Sequence, residues 1–213
     1  MTNEPDLLNY PFEEADHQRE CAIFGMWIFI ATEVLFFGGM FTAYMVYRFS
    51  YPEAFALAGH RQEWYLGFLN TAILIVSGFT MALAVEFAKR SHRRGLLLLL
   101  LVTALLGIGF LFVEGYEYHE KFVQRLVPGS GFVFPGSHPP SVEMFYYLYF
   151  VMTGFHGFHM IIGVLLIIGF GSWAWRSEIA MRKPNLFEVL GLYWAFVDIV
   201  WMFLYPLFYL VHP

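Results

Sequence analysis

Residues 96–113 read LLLLLLVTALLGIGFLFV, eighteen consecutive residues without a charge. Roughly 20 apolar residues in a helix cross a hydrocarbon core of about 30 Å, so this stretch predicts a membrane-spanning helix. Four further apolar blocks of similar length flank it. The sequence therefore predicts an all-α, polytopic membrane protein, a bundle of five transmembrane helices over about residues 21–49, 64–88, 95–120, 142–175 and 186–211.

The composition agrees with this fold class. Of the 213 residues, 59% are hydrophobic and 14% are charged, whereas soluble domains carry about 25% charged residues. No repeat or linker divides the chain, which predicts a single membrane domain over residues 1–213 with a polar, acidic N-terminal segment over residues 1–20. No basic stripe indicates nucleic-acid binding. Cys21 is the only cysteine, which excludes a disulfide within the chain and a cysteine cluster for a metal.

The short loops indicate an orientation. The loop between the second and third predicted helices and the loop between the fourth and fifth together hold seven Lys and Arg residues, against four in the loops on the other side. Cytoplasmic loops carry the excess of positive charge. The bias predicts a cytoplasmic N-terminus and a C-terminus outside.

Four ionisable residues fall near the middle of predicted spans: Glu33, His156, His159 and Asp198. A charge at the bilayer centre costs at least about 2.5–3.5 kcal/mol, so these side chains are expected to face protein. The histidines, three residues apart, are predicted to share a helix face. The layer is a functional candidate. A purely structural role, in which these residues form hydrogen bonds between helices and no proton or ion passes, explains the same residues.

Metal binding is not expected in this chain. The two mid-span histidines supply only two ligands, and zinc sites use three or four. A haem also needs an axial ligand in a pocket. Glu114, Glu117 and Glu120 fall near the outer end of the third predicted helix, where a solvated helix end is the simpler interpretation and a binding role the alternative.

Five motifs in order along the chain resemble the cytochrome c oxidase subunit III family. The segment Gly25–Gly39 is similar to the family's helix that carries an intramembrane glutamate, and Thr153–Gly163, which reads TGFHGFHMIIG, is similar to its histidine-bearing helix. The other three are Leu69-Asn70-Thr71 with Ser77-Gly78, Gly115–Glu120, and Tyr193–Trp201. Together they cover most of the chain from Gly25 to Tyr209.

The resemblance implies a non-catalytic subunit III of a bacterial haem–copper terminal oxidase in the inner membrane. Haem and copper then belong to subunits I and II, and this chain packs on subunit I and binds phospholipid. It also sustains proton uptake and protects the enzyme during turnover. A small subunit IV and a respiratory supercomplex are further expected partners. Glu33 matches the family's carbodiimide-reactive glutamate, and the matched motifs give as candidates for lipid or partner contact Trp27, Asn70, Glu117, Trp194 and Trp201.

Two departures from the family pattern stand out. Ala195 occupies a position where the family usually has histidine, so a polar contact is missing there. The longer family members also have two additional helices at their N-terminal side, which form a lipid-filled cleft with the rest of the bundle. The short five-helix form is expected in bacterial oxidases.

The resemblance favours the cytochrome c type of oxidase, and several alternatives remain open from the sequence. The runner-up is subunit III of a quinol oxidase or a nitric oxide reductase accessory protein, because other subunits select the electron donor. A small proton-coupled transporter gated by Glu33 would need inverted repeats or a discontinuous helix, and the sequence contains neither pattern. A structural assembly factor would leave before the enzyme works.

Overall fold

The computed structural model describes residues 15–134, 139–177 and 183–210. Over this part of the chain it is helical without strands, which confirms the all-α prediction. Five of the helices are long and apolar enough to cross a membrane. The helices are α1 (Ala15–Ser50), α2 (Pro52–Gly59), α3 (Trp64–Lys89), α4 (Arg93–Val123), α5 (Pro139–Arg176) and α6 (Pro184–Tyr209).

The first two helices differ from the sequence prediction. Helix α1 starts at Ala15, so residues 15–20 of the predicted N-terminal segment are helical, and the rest of that segment lies outside the described residues. The polar connection predicted after the first span contains the short helix α2. Proline is favourable at the first position of a helix, where its missing N–H has no partner to lose. Pro52 is therefore the first residue of α2, and the side chain of Phe55, on the same helix, is buried.

The core of the bundle lies between α3, α4, α5 and α6. Two fully buried indoles on α6, Trp194 and Trp201, occupy its centre. Helix α1 packs against α6 and α5 from outside this core and keeps large exposed side chains such as Leu35, which is 76% exposed. Since a span needs an apolar surface wherever it meets lipid, this exposure is the expected state of a membrane helix.

Charged side chains tie three helices together at one end of the bundle, here called the basic end. Glu188 on α6 forms ion pairs of 2.9 Å with Arg19 on α1 and of 2.9 Å with Lys89 on α3. Arg93 at the start of α4 donates to the backbone carbonyls of Ala174 and Trp175 at the end of α5. All five long helices therefore have one terminus at the basic end, as an up-and-down bundle requires.

Candidate functional site

Glu33 on α1 and His159 on α5 form a pair midway along their helices. The distance between Glu33 Oε2 and His159 Nε2 is 3.3 Å, and the two side chains are 19% and 12% exposed. His159 Nδ1 lies 2.8 Å from the carbonyl oxygen of Phe155. A carbonyl only accepts, so Nδ1 carries a hydrogen. A hydrogen bond across the 3.3 Å separation needs a hydrogen on either the carboxyl oxygen or Nε2.

His156 does not join this pair. Its ring is buried between Trp201, at a centroid distance of 5.2 Å, and Phe110, at 5.4 Å. Neither ring nitrogen has a hydrogen-bond partner among the described residues. The side chains of two residues three positions apart on a helix point in directions that differ by about 60°. That angle points His159 towards α1 and His156 into the core.

Asp198 on α6 also lies apart from the pair and faces α3. A methyl group at Gly78 would lie 2.5 Å from Asp198 Oδ2, so the absence of a side chain there makes room for the carboxyl group. Asp198 is 9% exposed, and within the described part of the chain its Oδ1 oxygen has no hydrogen-bond partner. Glu33 and His159 thus bring a carboxyl group and an imidazole together, whereas Oδ1 of Asp198 has no such partner in the described part of the chain.

A second polar cluster lies near the opposite end of the bundle, where a solvated helix end was predicted. Glu114 and Glu117 are instead 5% and 1% exposed. Tyr209 donates to Glu117 Oε2 at 2.7 Å, and Lys121 Nζ lies 3.7 Å from Glu117 Oε1. The prediction was wrong for these two glutamates because α5 and α6 cover this face of α4, whereas Glu120 stays partly exposed.

The five candidates for lipid or partner contact divide sharply. Trp27 is 55% exposed and is available for such contact. The other four, which point into the bundle and contact this chain itself, are Asn70, Glu117, Trp194 and Trp201. Both buried indoles bond to α3: Trp194 Nε1 donates to Ser77 Oγ at 2.9 Å and Trp201 Nε1 donates to Thr71 Oγ1 at 3.1 Å. Their burial makes them part of the helix packing, which corrects the prediction for these four.

Comparison with known proteins identifies the family. The family model for cytochrome c oxidase subunit III matches residues 13–212. This chain belongs to the cytochrome c oxidase subunit III family. It is thus a multi-pass membrane protein and a subunit of a haem–copper oxidase complex, an oxidoreductase.

Three relatives show the breadth of the subunit III family. Cytochrome c oxidase subunit 3 of Thermostichus vulcanus is 31% identical over 207 residues, which cover 93% of this chain and 92% of the relative. Quinol oxidase subunit 3 of Bacillus subtilis is 29% identical over 203 residues, 95% of this chain and 93% of the relative. The Heme-copper oxidase subunit I+III of Aeropyrum pernix is 34% identical over 193 residues, which cover 87% of this chain and 22% of that protein.

Two grooves along α6 complete the geometry of this subunit III. An apolar groove of about 370 Å³ runs between α1 and α6, with Phe37, Phe41 and Phe203 in its walls. A larger groove of about 650 Å³ lies between α1, α3 and α6 and reaches from Glu188 to Asp198. The sequence offered no signal for either groove. In the described ranges, no group of three or more His, Cys, Asp or Glu side chains is placed to hold a metal.

Proposed function

We propose that this chain is the non-redox subunit III of a bacterial cytochrome c oxidase in the inner membrane, where it packs on subunit I. The observation that carries the proposal is the Aeropyrum pernix relative, in which, by its name, subunits I and III form one chain. Fusion requires the two parts to lie together in the membrane. Haem and copper are then held by subunits I and II, oxygen reduction is coupled to proton pumping there, and a small subunit IV completes the complex, which joins a respiratory supercomplex.

The contribution of this chain to the complex is structural in the first instance. Helix α1 is mostly exposed along its outer face, with side chains such as Phe24, Ile28 and Leu35 uncovered. A continuous apolar surface of this kind is either lipid-facing or covered by another transmembrane helix. Packing on subunit I, together with bound lipid, covers it and stabilises the catalytic subunit.

Phospholipid binding is the second part of the proposal. The apolar groove between α1 and α6 is lined by aromatic and aliphatic side chains along several helical turns. Trp27 lines it and is half exposed, and indoles are enriched where protein meets the lipid headgroup region. An acyl chain fits a narrow apolar groove of this kind, and it removes the exposed walls from contact with any water that enters beside α1.

Support of proton uptake is the third part, and it rests on Glu33 and His159. Their 3.3 Å contact places a carboxyl oxygen and an imidazole nitrogen, two groups that can each carry a proton, next to one another at mid-span. Both side chains retain some exposure on the α1 side of the bundle. A group held there exchanges a proton with whatever lies beside α1, which in the complex is lipid or subunit I.

The test is purification of the tagged chain from native membranes in a mild detergent. A reduced-minus-oxidised spectrum and a subunit inventory are then recorded. The proposal expects haem of an oxidase to co-purify together with subunits I and II, with the copper of subunit II identifying the cytochrome c type. Isolation of the chain alone and free of haem, after gentle extraction, contradicts it and favours a separate role such as transport or assembly.

A quinol oxidase is the second candidate. The specific observation in its favour is the 29% identity to quinol oxidase subunit 3 of Bacillus subtilis, over nearly the whole of both chains. Subunit III binds neither donor in this proposal, so the choice depends on subunit II of the purified complex. A subunit II without copper, in a complex that oxidises quinol, decides for this candidate.

A further inference from the structure

The groove that reaches the basic end, here called the basic-end groove, has a polar group at each of its two ends. Arg19, Lys89 and Glu188 line its mouth, and Asp198 lies at its far end. Asp198 follows Glu188 by ten residues, or about 15 Å along α6. The groove therefore leads from the helix ends to a carboxyl group near the middle of the span.

The mouth of the basic-end groove is lined by charged side chains that remain accessible to water. Glu188 binds both cations at 2.9 Å. The side chains of Arg19 and Lys89 remain 48% and 46% exposed. Charged heads of side chains at a helix end turn towards water.

At the far end of the groove, one carboxyl oxygen of Asp198 has no hydrogen-bond partner within the described part of the chain. Oδ2 occupies the space left by Gly78, and Oδ1 has no hydrogen-bond donor among the residues described. A buried polar atom without a hydrogen-bond partner is destabilising, and more so if it is charged. Carboxyl groups inside membrane spans face the bundle interior or a water-filled cavity. Asp198 lines the basic-end groove directly.

The basic-end groove is large enough for water, and small side chains line part of it between its two ends. Gly191, Ala82 and Ala195 line the middle of the groove, and their small side chains leave it open. The volume of about 650 Å³ is many times the share of one water molecule in the liquid, about 30 Å³. Bound water supplies the hydrogen bond that Oδ1 lacks, since bridging waters are nearly as favourable as direct bonds.

We propose that the basic-end groove holds water continuously from the helix ends to Asp198, which is hydrated through Oδ1 in the middle of the span. The ligand of this site is water. The site is separate from the Glu33–His159 pair, because Asp198 faces α3 whereas Glu33 contacts α5. The proposal does not depend on the oxidase type. The alternative occupant of the basic-end groove is an acyl chain that extends from the adjoining apolar groove.

The experiment measures the reaction of single cysteines with a small, charged methanethiosulfonate in the intact complex, reconstituted in lipid nanodiscs. Cys21, the only cysteine of this chain, is first replaced by serine. Thiols react as thiolates and therefore need water. The test variants are Ala195→Cys, one turn from Asp198, and Ala82→Cys, which lines the basic-end groove but not the apolar groove.

Three controls bracket the result. Ser91→Cys reports full access to water at the α3–α4 turn, Leu105→Cys reports a lipid-facing position that is 59% exposed, and Ala84→Cys reports a packed position with no exposure. We expect both test cysteines to react within about tenfold of Ser91→Cys and at least about tenfold faster than Leu105→Cys, because only hydrated thiols ionise readily. Test rates equal to that of Leu105→Cys mean that lipid or another subunit fills the groove, and they overturn the proposal.

A second measurement uses the unaltered chain and so does not depend on how cysteine variants fold. A water-soluble carbodiimide with an amine is expected to modify Asp198 in the same nanodiscs, as read by peptide mass. Ala195→Leu narrows the groove beside Asp198 and is expected to lower that modification to the background seen in Asp198→Asn. Modification by a hydrophobic carbodiimide alone indicates an acyl-filled groove and overturns the proposal. Loss of subunit I from the preparation is scored separately and bears on the proposed function instead.

Discussion

At the scale of single residues, substitutions of Glu33 distinguish a structural role of this side chain from a role in carrying a proton. His159 Nδ1 is engaged with Phe155, so Nε2 has a lone pair whenever the ring is neutral. A glutamine amide at position 33 donates to it equally well, whereas leucine cannot. We expect Glu33→Gln to leave thermal stability within about 0.5 kcal/mol and yet to abolish carbodiimide labelling at position 33 and shorten the lifetime of the enzyme under turnover, as Glu33→Leu does.

The control for Glu33 is Glu86→Gln, which replaces an exposed carboxylate near the end of α3 that pairs with Arg90, four residues further along the chain. It is expected to keep the lifetime of the unaltered enzyme in the same turnover assay. If Glu33→Gln matches this control while Glu33→Leu alone shortens the lifetime, Glu33 serves only to position His159.

Tyr209 carries a prediction about the buried cluster on α4. Its hydroxyl donates to Glu117 Oε2 at 2.7 Å, and both side chains are almost fully buried. Tyr209→Phe leaves that carboxyl oxygen without its donor, which costs about 1–3 kcal/mol. Differential scanning fluorimetry of the purified complex should show a lower unfolding temperature for this subunit. Tyr116→Phe removes a comparable bond to Glu120 at an exposed site and should change it far less.

At the scale of helices, the close packing of α4, α5 and α6 depends on two glycines beside Trp194. A methyl group at Gly163 would lie 2.9 Å from Trp194 Cζ3, and one at Gly107 would lie 2.8 Å from its Cη2. The indole cannot move away freely, because Nε1 is bonded to Ser77. Overpacking of this kind costs about 1–3 kcal/mol, more than the roughly 1 kcal/mol that alanine gains over glycine in a helix.

Gly163→Ala is therefore expected to destabilise the bundle and to lower the amount of this subunit that stays in the complex on heating. Gly169→Ala on the same helix is the matched control, because nothing lies within 4 Å of a methyl group there. It should be neutral or slightly stabilising. Equal retention of the two variants contradicts the packing argument.

The helices could be predicted from the sequence, but the faces that they bury could not. Long apolar runs such as residues 96–113 predict spans by length alone. A helix that is apolar all round gives no periodic signal for its packed face. For that reason the sequence predicts a shared face for His156 and His159 and a solvated position for Glu114 and Glu117, and the structure has neither. Equal depth predicts that Glu33, His156, His159 and Asp198 lie at one level but not which of them pair, and the room for Asp198 depends on Gly78, on another helix.

At the scale of the whole molecule, the distribution of cations predicts the orientation in the membrane. The basic end carries Arg19, Lys89 and Arg93, and the loops there hold the larger share of Lys and Arg. By the positive-inside rule we expect the basic end to be cytoplasmic. In that orientation the Asp198 groove opens to the cytoplasm, and the loop over residues 124–134 faces outside.

This topology is tested with single cysteines in the Cys21→Ser background, because Ser91 and Ser130 are exposed turn residues at opposite ends of the bundle. In intact spheroplasts a membrane-impermeant maleimide should label Ser130→Cys at once and Ser91→Cys only after permeabilisation. The opposite pattern would place the basic end outside. The groove leading to Asp198 would then draw its water from the outer face.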